Sequence, residues 1–278
     1  MAIIDQNKGF PQAATHLMNE PTVHNDGTLD KRDWIAGLEK GLAVIEAFDD
    51  QHPRLTASQA GARCGLTRTA ARRYLLTLQH LGYVGSDGKL FWLTPRILRL
   101  GHAYLESARL PRLVQPFLQR IAGGTQEVAY LGVLDGVDTV YIARSGAHRH
   151  MNTGYMLGSR VPAQVTAAGM AILAGLGEAA ADRWLAQIRL STYTPYTLSD
   201  PDDLRLALNR FRRQGWALSE QQMELNFRGI AAPLLDRSNT VHGAISITMP
   251  INQEGSEEAV RRVLPVLQEA ARTLRPLI

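Results

Sequence analysis

The chain of 278 residues has one cysteine, Cys64, which excludes an intrachain disulfide and leaves too few thiolates for a usual structural zinc site. Residues 1–33 hold Asp5, Glu20, Asp26, Asp30 and Asp33 among polar neighbours and lack an apolar stretch long enough for a signal peptide or a membrane span. They are expected to form a flexible arm, and the chain is expected in a reducing cytoplasm with no membrane partner. Catalytic signatures are also missing. The sequence has no glycine-rich phosphate loop, no Gly-x-Ser-x-Gly elbow and no helical His-Glu-x-x-His. His148-Arg149-His150 offers two imidazoles, but no third ligand stands at a telling spacing. No enzyme, no cofactor and no metal are expected.

Acidic residues are scarce in one region. From Arg54 to Arg99 the cations are Arg54, Arg63, Arg68, Arg72, Arg73, Lys89, Arg96 and Arg99, against Asp87 alone, so this segment is more positive than the +4 of the whole chain. Such clustering is the footprint of a surface that neutralises phosphates. The local pattern agrees. Ile35, Leu38, Leu42, Ile45 and Phe48 follow at steps of three and four and predict a first helix. Thr56 with Gln59 forms a capping-box pattern, predicting a second helix over about Ala57 to Arg63 that stops at Gly65. Thr67 then caps a third, in which Ala71, Tyr74, Leu75, Leu78 and Leu81 share a face up to Gly82.

Two helices joined by a short glycine-containing turn predict a helix-turn-helix whose second member enters the major groove of double-stranded DNA. Thr67, Arg68, Thr69, Arg72 and Arg73 sit on its leading half, where arginines can read guanine edges or clamp phosphates. Tyr83 and Val84, the turn Ser86-Asp87-Gly88 and Leu90 to Leu93 predict a hairpin wing with Lys89 near its tip. Thr94-Pro95 opens a further helix with an apolar stripe of Ile97, Leu98, Tyr104 and Leu105, expected to end at Leu110-Pro111. That stripe suits dimerisation or packing within its own domain, and a two-fold dimer implies a palindromic operator. The expected organisation is therefore an arm over 1–33, a winged helix-turn-helix over 34–94, a linker helix over 95–109 and an effector-binding and oligomerisation domain over 110–278.

In that last region Glu127 to Leu134 and Val137 to Arg144 flank Asp135-Gly136, and Arg228 to Leu235 and Val241 to Thr248 flank a second turn, so two hairpins are predicted. Helices are predicted at Thr166 to Gly175, Glu178 to Ile188, Pro201 to Gln214 and Ser256 to Thr273, with Pro265 kinking or breaking the last. The class is α+β, an antiparallel sheet flanked by helices. The small residues after Thr166 let an anion approach free backbone N–H groups, or simply permit tight packing. Arg144, Arg160 and Arg228 lie in mostly apolar segments and need internal acids or an anionic ligand. Tyr130, Tyr141 and Tyr155 either line an aromatic pocket or pack in the core.

GLTRTAARRYLLTLQHLGYV (65–84) and LTPRILRLGHAYL (93–105) resemble the DNA-binding domain of the IclR family of regulators. GSRVPAQVTAAGMAILA (158–174) and GWALSEQQMELNFRGIAAPLLD (215–236) resemble its effector domain, extending the similarity over about 34–275. Residues 70–73 and 151–162 resemble the branch typified by PcaR, PcaU and PobR, which control catabolism of aromatic acids. Ala60, Gly61, Gln164 and Met170 depart from commoner choices. The resemblance implies a GAF-like C-terminal domain, a homodimer or dimer of dimers, and control by a small carboxylate effector, with RNA polymerase as a further candidate partner. Its matching pocket positions are Ala168, Gly169, Ser219, Gly229, Ser246 and Thr248. The hydroxyls of Ser246 and Thr248, two apart on one strand, are expected to face the same side. The competing reading is a DNA-binding protein whose C-terminal domain only oligomerises.

Overall fold

Thr56 accepts a hydrogen bond from the Gln59 N–H at 3.3 Å, and Gln59 Oε1 accepts from the Thr56 N–H at 2.9 Å. This reciprocal box starts helix α2, Ala57–Arg63. In the computed structural model, which describes Asp30 and residues 32–146, 155–251 and 254–278, α2 follows α1, Ala36–Glu46, and precedes α3, Arg68–His80. His148-Arg149-His150 and most of the arm expected over 1–33 lie outside the described residues. Gly65, with φ +64, turns the chain between α2 and α3, a conformation that costs glycine little. Buried Ala60 and Gly61 have a local reason to be small. A Cβ on Gly61 would stand 2.7 Å from the Leu66 carbonyl oxygen, so the tight turn requires glycine there.

Strands β1, Val84–Ser86, and β2, Phe91–Leu93, form the hairpin, and Leu55 bridges to Phe91 on its outer side. Asp87 accepts from the N–H groups of Lys89 and Leu90, and Gly88 takes φ +97. Val44, Leu55, Ala71, Leu75, Leu78, Val84 and Phe91 close the core of this unit. Helix α1 contributes by Val44 and Ile45, with Phe48 just beyond its end, rather than by the whole predicted stripe: Ile35 is 70% exposed and Leu38 60%. Helix α4, Leu98–Ser107, buries no residue, and its Leu98 is 71% exposed.

The chain divides into two units between Ser107 and Ala108. The predicted stop at Leu110-Pro111 is corrected: α4 ends earlier, Ala108 is extended, and α5 runs Arg109–Thr125 with Pro111 in its first turn. A proline there forfeits nothing, since first-turn N–H groups have no intrahelical acceptor. Pro265 does not break α9, which runs Ser256–Leu274. Burial of Ala259, Val263, Leu267, Ala270 and Leu274 offsets the lost backbone bond.

The second unit is a six-stranded antiparallel sheet in the order β5-β4-β3-β8-β7-β6. Its strands are β3 (Val128–Asp135), β4 (Asp138–Ser145), β5 (Arg160–Pro162), β6 (Ala217–Glu220), β7 (Phe227–Leu235) and β8 (Val241–Pro250). Helices α5 and α9 cover one face, where Val114, Leu118, Ile121, Val263 and Leu267 meet Leu131, Ile230, Ile245 and Ile247. The other face carries α6, Ala167–Gly175, with α7, Glu178–Ala186, and α8, Pro201–Gln214. There Met170, Leu173, Leu204 and Leu208 pack with Tyr130, Tyr141, Ala231 and Ala244. Covering both faces explains why residues 128–131 and 243–247 are buried without alternation. Helix α6 is apolar all round because Ala167 to Ala174 are all buried. Among the described residues, no helix is long and apolar enough to cross a membrane and no group of three acidic, histidine or cysteine side chains could hold a metal ion.

Candidate nucleic-acid interface and ligand cavity

Thr67 caps α3 by accepting from the Ala70 N–H at 3.2 Å, which leaves its side chain at the leading end of the helix. Ala71, Leu75 and Leu78 face the core, while Arg68, Thr69, Arg72 and Arg73 are exposed over the first two turns. Lys89 is exposed in the hairpin turn. Among the described residues, none of these four cations has an acidic partner within salt-bridge distance. The remaining cations of the segment differ. Arg63 is committed to Asp49 at 2.5 Å, Arg54 lies 4.5 Å over the Trp92 ring and Arg96 lies 5.5 Å over Tyr83. Folding thus sorts the positive charge that sequence alone lumps together: Arg99, on α4, is exposed without an acidic partner among the described residues, and the α3 arginines and Lys89 are left available for phosphate and base edges.

In the second unit a cavity of about 130 Å³ opens at the start of α6. Val165, Thr166, Ala167 and Ala168 form one wall, Gly229, Ser246 and Thr248 the sheet side, Tyr141 and Tyr155 an aromatic side, and Gln222, Met223, Glu224 and Phe227 the loop side. Thr166 satisfies two opening N–H groups of α6: its hydroxyl accepts from Gly169 N at 3.0 Å and its carbonyl from Met170 N at 2.9 Å. Those of Ala167 and Ala168 precede them at the positive end of the helix dipole. Gly229 lets α6 approach, since a Cβ there would stand 3.0 Å from the Ala167 Cβ.

Five of the six sequence-derived pocket positions line this cavity: Ala168, Ser219, Gly229, Ser246 and Thr248. Gly169 does not. A Cβ on Gly169 would stand 2.3 Å from the Ala163 carbonyl oxygen and 2.6 Å from Thr139 Oγ1, so it serves close packing. Ser219 is also committed, donating to the Val165 carbonyl at 2.7 Å and so holding the turn that leads into α6. Ser246 is different: it is 2% exposed and its Oγ has no hydrogen-bond partner among the described residues. A buried hydroxyl left unpaired costs about 1 to 3 kcal/mol, which a bound polar group relieves.

The Tyr141 and Tyr155 rings stack with centroids 4.9 Å apart and planes 12° apart, and Tyr130 lies 4.9 Å from Tyr141. Burial is the main cause that pushes the Tyr141 and Tyr155 phenols well above their ordinary range, so both remain neutral donors at any physiological pH. The three apolar-embedded arginines part ways. Arg160 pairs with Asp135 at 2.5 Å and Asp138 at 3.2 Å. Arg228, only 3% exposed, pairs with Glu220 at 2.5 Å, donates to Ser256 Oγ at 3.0 Å and donates to the Glu254 carbonyl at 3.2 Å. Arg144 lies 5.8 Å over the Tyr130 ring with no acidic partner among the described residues. Sequence reasoning missed the wall of Gln222, Met223 and Glu224, which belongs to a turn with no periodic signal.

Residues 37–88 match the IclR helix-turn-helix domain, and residues 102–275 match the bacterial transcriptional regulator IclR C-terminal domain. The chain is 37% identical over 269 residues to the Pca operon regulatory protein of Acinetobacter baylyi, covering 94% of this chain and 97% of that one. It is 36% identical over 260 residues to the p-hydroxybenzoate hydroxylase transcriptional activator of the same organism, covering 92% and 96%. Among solved structures, an IclR homolog complexed with 4-hydroxybenzoate from Microbacterium hydrocarbonoxydans superimposes with a TM-score of 0.69 at 25% identity, covering 86% of this chain and 98% of that one. With a helix-turn-helix in one unit, a cavity-bearing sheet in the other and relatives that regulate transcription, the chain belongs to the IclR family of transcriptional regulators and is not an enzyme.

Proposed function

We propose that this regulator reads operator DNA with Thr67, Arg68, Thr69, Arg72, Arg73 and Lys89 and senses a small aromatic carboxylate in the cavity at the start of α6. The single observation that carries the sensing half is the unpaired, buried Ser246 hydroxyl beside a positive helix end. Cavity size supports a single ring: an apolar cavity of about 150 Å³ takes benzene, and this one is about 130 Å³. Stacked tyrosines offer ring contact, the α6 N-terminus suits a carboxylate, and Ser246 and Thr248 supply hydroxyls. Relatives in aromatic-acid pathways, and the homolog bound to 4-hydroxybenzoate, support the same ligand class.

The active species in this reading is a homodimer or a dimer of dimers on a palindromic site. The support is the uncovered apolar surface around α1 and α4, where Trp34, Ile35, Leu38, Leu42, Leu98 and Tyr104 are all exposed. Thermal denaturation of the full chain against benzoic acids tests the sensing half. At a ligand concentration about 100 times Kd, binding stabilises the native state by about 2.7 kcal/mol, with a matching rise in Tm. No shift with any hydroxybenzoate at millimolar concentration returns the C-terminal unit to the reading in which it only oligomerises.

A further inference from the structure

We propose that Glu224 is a charge filter at the mouth of the cavity, admitting monocarboxylates that carry a hydroxyl donor and disfavouring ligands with a second carboxylate. The proposal rests on the ligand-sensing reading of that cavity. Glu224 lines the cavity and is also solvent-exposed, so it stands at the open end. The inner end is set by Ala168, 1% exposed, and Ser246, 2% exposed. A ligand whose carboxylate takes the inner end, against the α6 N-terminus, presents its far substituent to Glu224.

Two observations keep that charge in force. Among the described residues no cation pairs with Glu224, and the Arg228 guanidinium, the one cation among the described residues lining the cavity, is already bound to Glu220, Ser256 and the Glu254 carbonyl. The loop that carries Glu224 is also tied down. Thr194 donates its hydroxyl to the Gln221 carbonyl at 2.5 Å, Thr197 donates to the Gln222 carbonyl at 2.6 Å, and the Leu198 N–H donates to Gln222 Oε1 at 3.3 Å. The Asn226 N–H closes the loop onto Gln221 Oε1 at 3.1 Å. A loop pinned at both residues before Met223 does not readily swing its carboxylate away. After burial, the Glu224 charge is the next cause that holds the Tyr155 phenol above its ordinary range, which places the carboxylate within electrostatic reach of the ring wall. A phenolic hydroxyl at the mouth therefore finds an acceptor, whereas a second carboxylate meets a like charge.

The test is calorimetric titration of the full chain with 4-hydroxybenzoate and with benzene-1,4-dicarboxylate, for the wild type and for Glu224→Gln, at low and high salt. The expected result is that the wild type favours 4-hydroxybenzoate. Glu224→Gln should then raise dicarboxylate affinity on the order of tenfold while 4-hydroxybenzoate changes less than about threefold, and the dicarboxylate gain should shrink as salt screens it. An unchanged ratio of the two affinities, or a gain indifferent to salt, overturns the filter while leaving the cavity as a sensor. Failure of both proteins to bind either acid overturns the sensing reading itself, and the filter with it.

Discussion

Replacing both Arg72 and Arg73 by alanine should lower operator affinity by about 2 to 6 kcal/mol, if each arginine reads a base at about 1 to 3 kcal/mol. The two side chains are exposed on the leading half of α3 and carry no acidic partner among the described residues. Removing them therefore frees no buried counter-charge, and the weakening reports DNA binding alone. Gel-shift titrations at several salt concentrations separate the two ways an arginine works. Removing a base reader relaxes sequence preference, whereas removing a phosphate clamp flattens the slope of log K against log salt by about one unit each. Arg63→Ala provides the contrast, because that guanidinium is committed to Asp49 and should leave operator affinity within about threefold. Operator binding that is undiminished and equally selective in the double variant would remove α3 as the reading helix.

The largest stability effect is expected at Glu220. Burial alone would raise its carboxyl, but hydrogen bonds from Ser256 and Arg228 and the guanidinium charge hold it below the ordinary range. Glu220→Ala leaves the 3% exposed Arg228 without a counter-charge. Breaking a buried pair from one side costs about 3 to 5 kcal/mol, and because the Glu220 side chain is 32% exposed the lower end, about 3 kcal/mol, is expected. Urea unfolding reads this as a fall in midpoint at constant slope. A depressed carboxylate contributes stability above its unfolded pKa of about 4.3 and loses it as pH falls through the lower folded value. The wild type should therefore lose its advantage over Glu220→Ala progressively below about pH 4. The surface pair of Arg205 and Asp202 gives the scale for comparison, since Asp202→Ala should cost under about 1 kcal/mol. A Glu220→Ala cost no greater than that of Asp202→Ala would contradict the structural role given to the pair.

How much of this is legible in the sequence depends on the range of the forces involved. The helix-turn-helix is written in local chemistry: the Thr56–Gln59 box, the Thr67 cap and Gly65 at positive φ each act within a few residues and appear where the pattern predicts them. Proline misleads for the opposite reason. Pro111 and Pro265 look like stops in sequence, yet one falls in a free first turn and the other is carried by burial against the sheet. The edge strands Arg160–Pro162 and Ala217–Glu220 are too short to show alternation. For the cavity, strand spacing correctly puts Ser246 and Thr248 on one side, but it gives no hint that Gly169 packs against Ala163. Nor does sequence reveal that the loop bearing Glu224 is pinned by Thr194 and Thr197, because those bonds bridge more than twenty residues.

If α3 reads DNA and the cavity takes an aromatic acid, the second event should control the first. Ligand and operator affinities are then linked, with a coupling typically of about 1 to 3 kcal/mol that acts equally in both directions. The most direct measurement is operator affinity of the full chain at fixed salt, titrated with and without saturating 4-hydroxybenzoate. A shift of about 5- to 150-fold in either direction is the expected result, and an acid that binds the chain while leaving operator affinity unchanged would contradict control of DNA binding by the cavity.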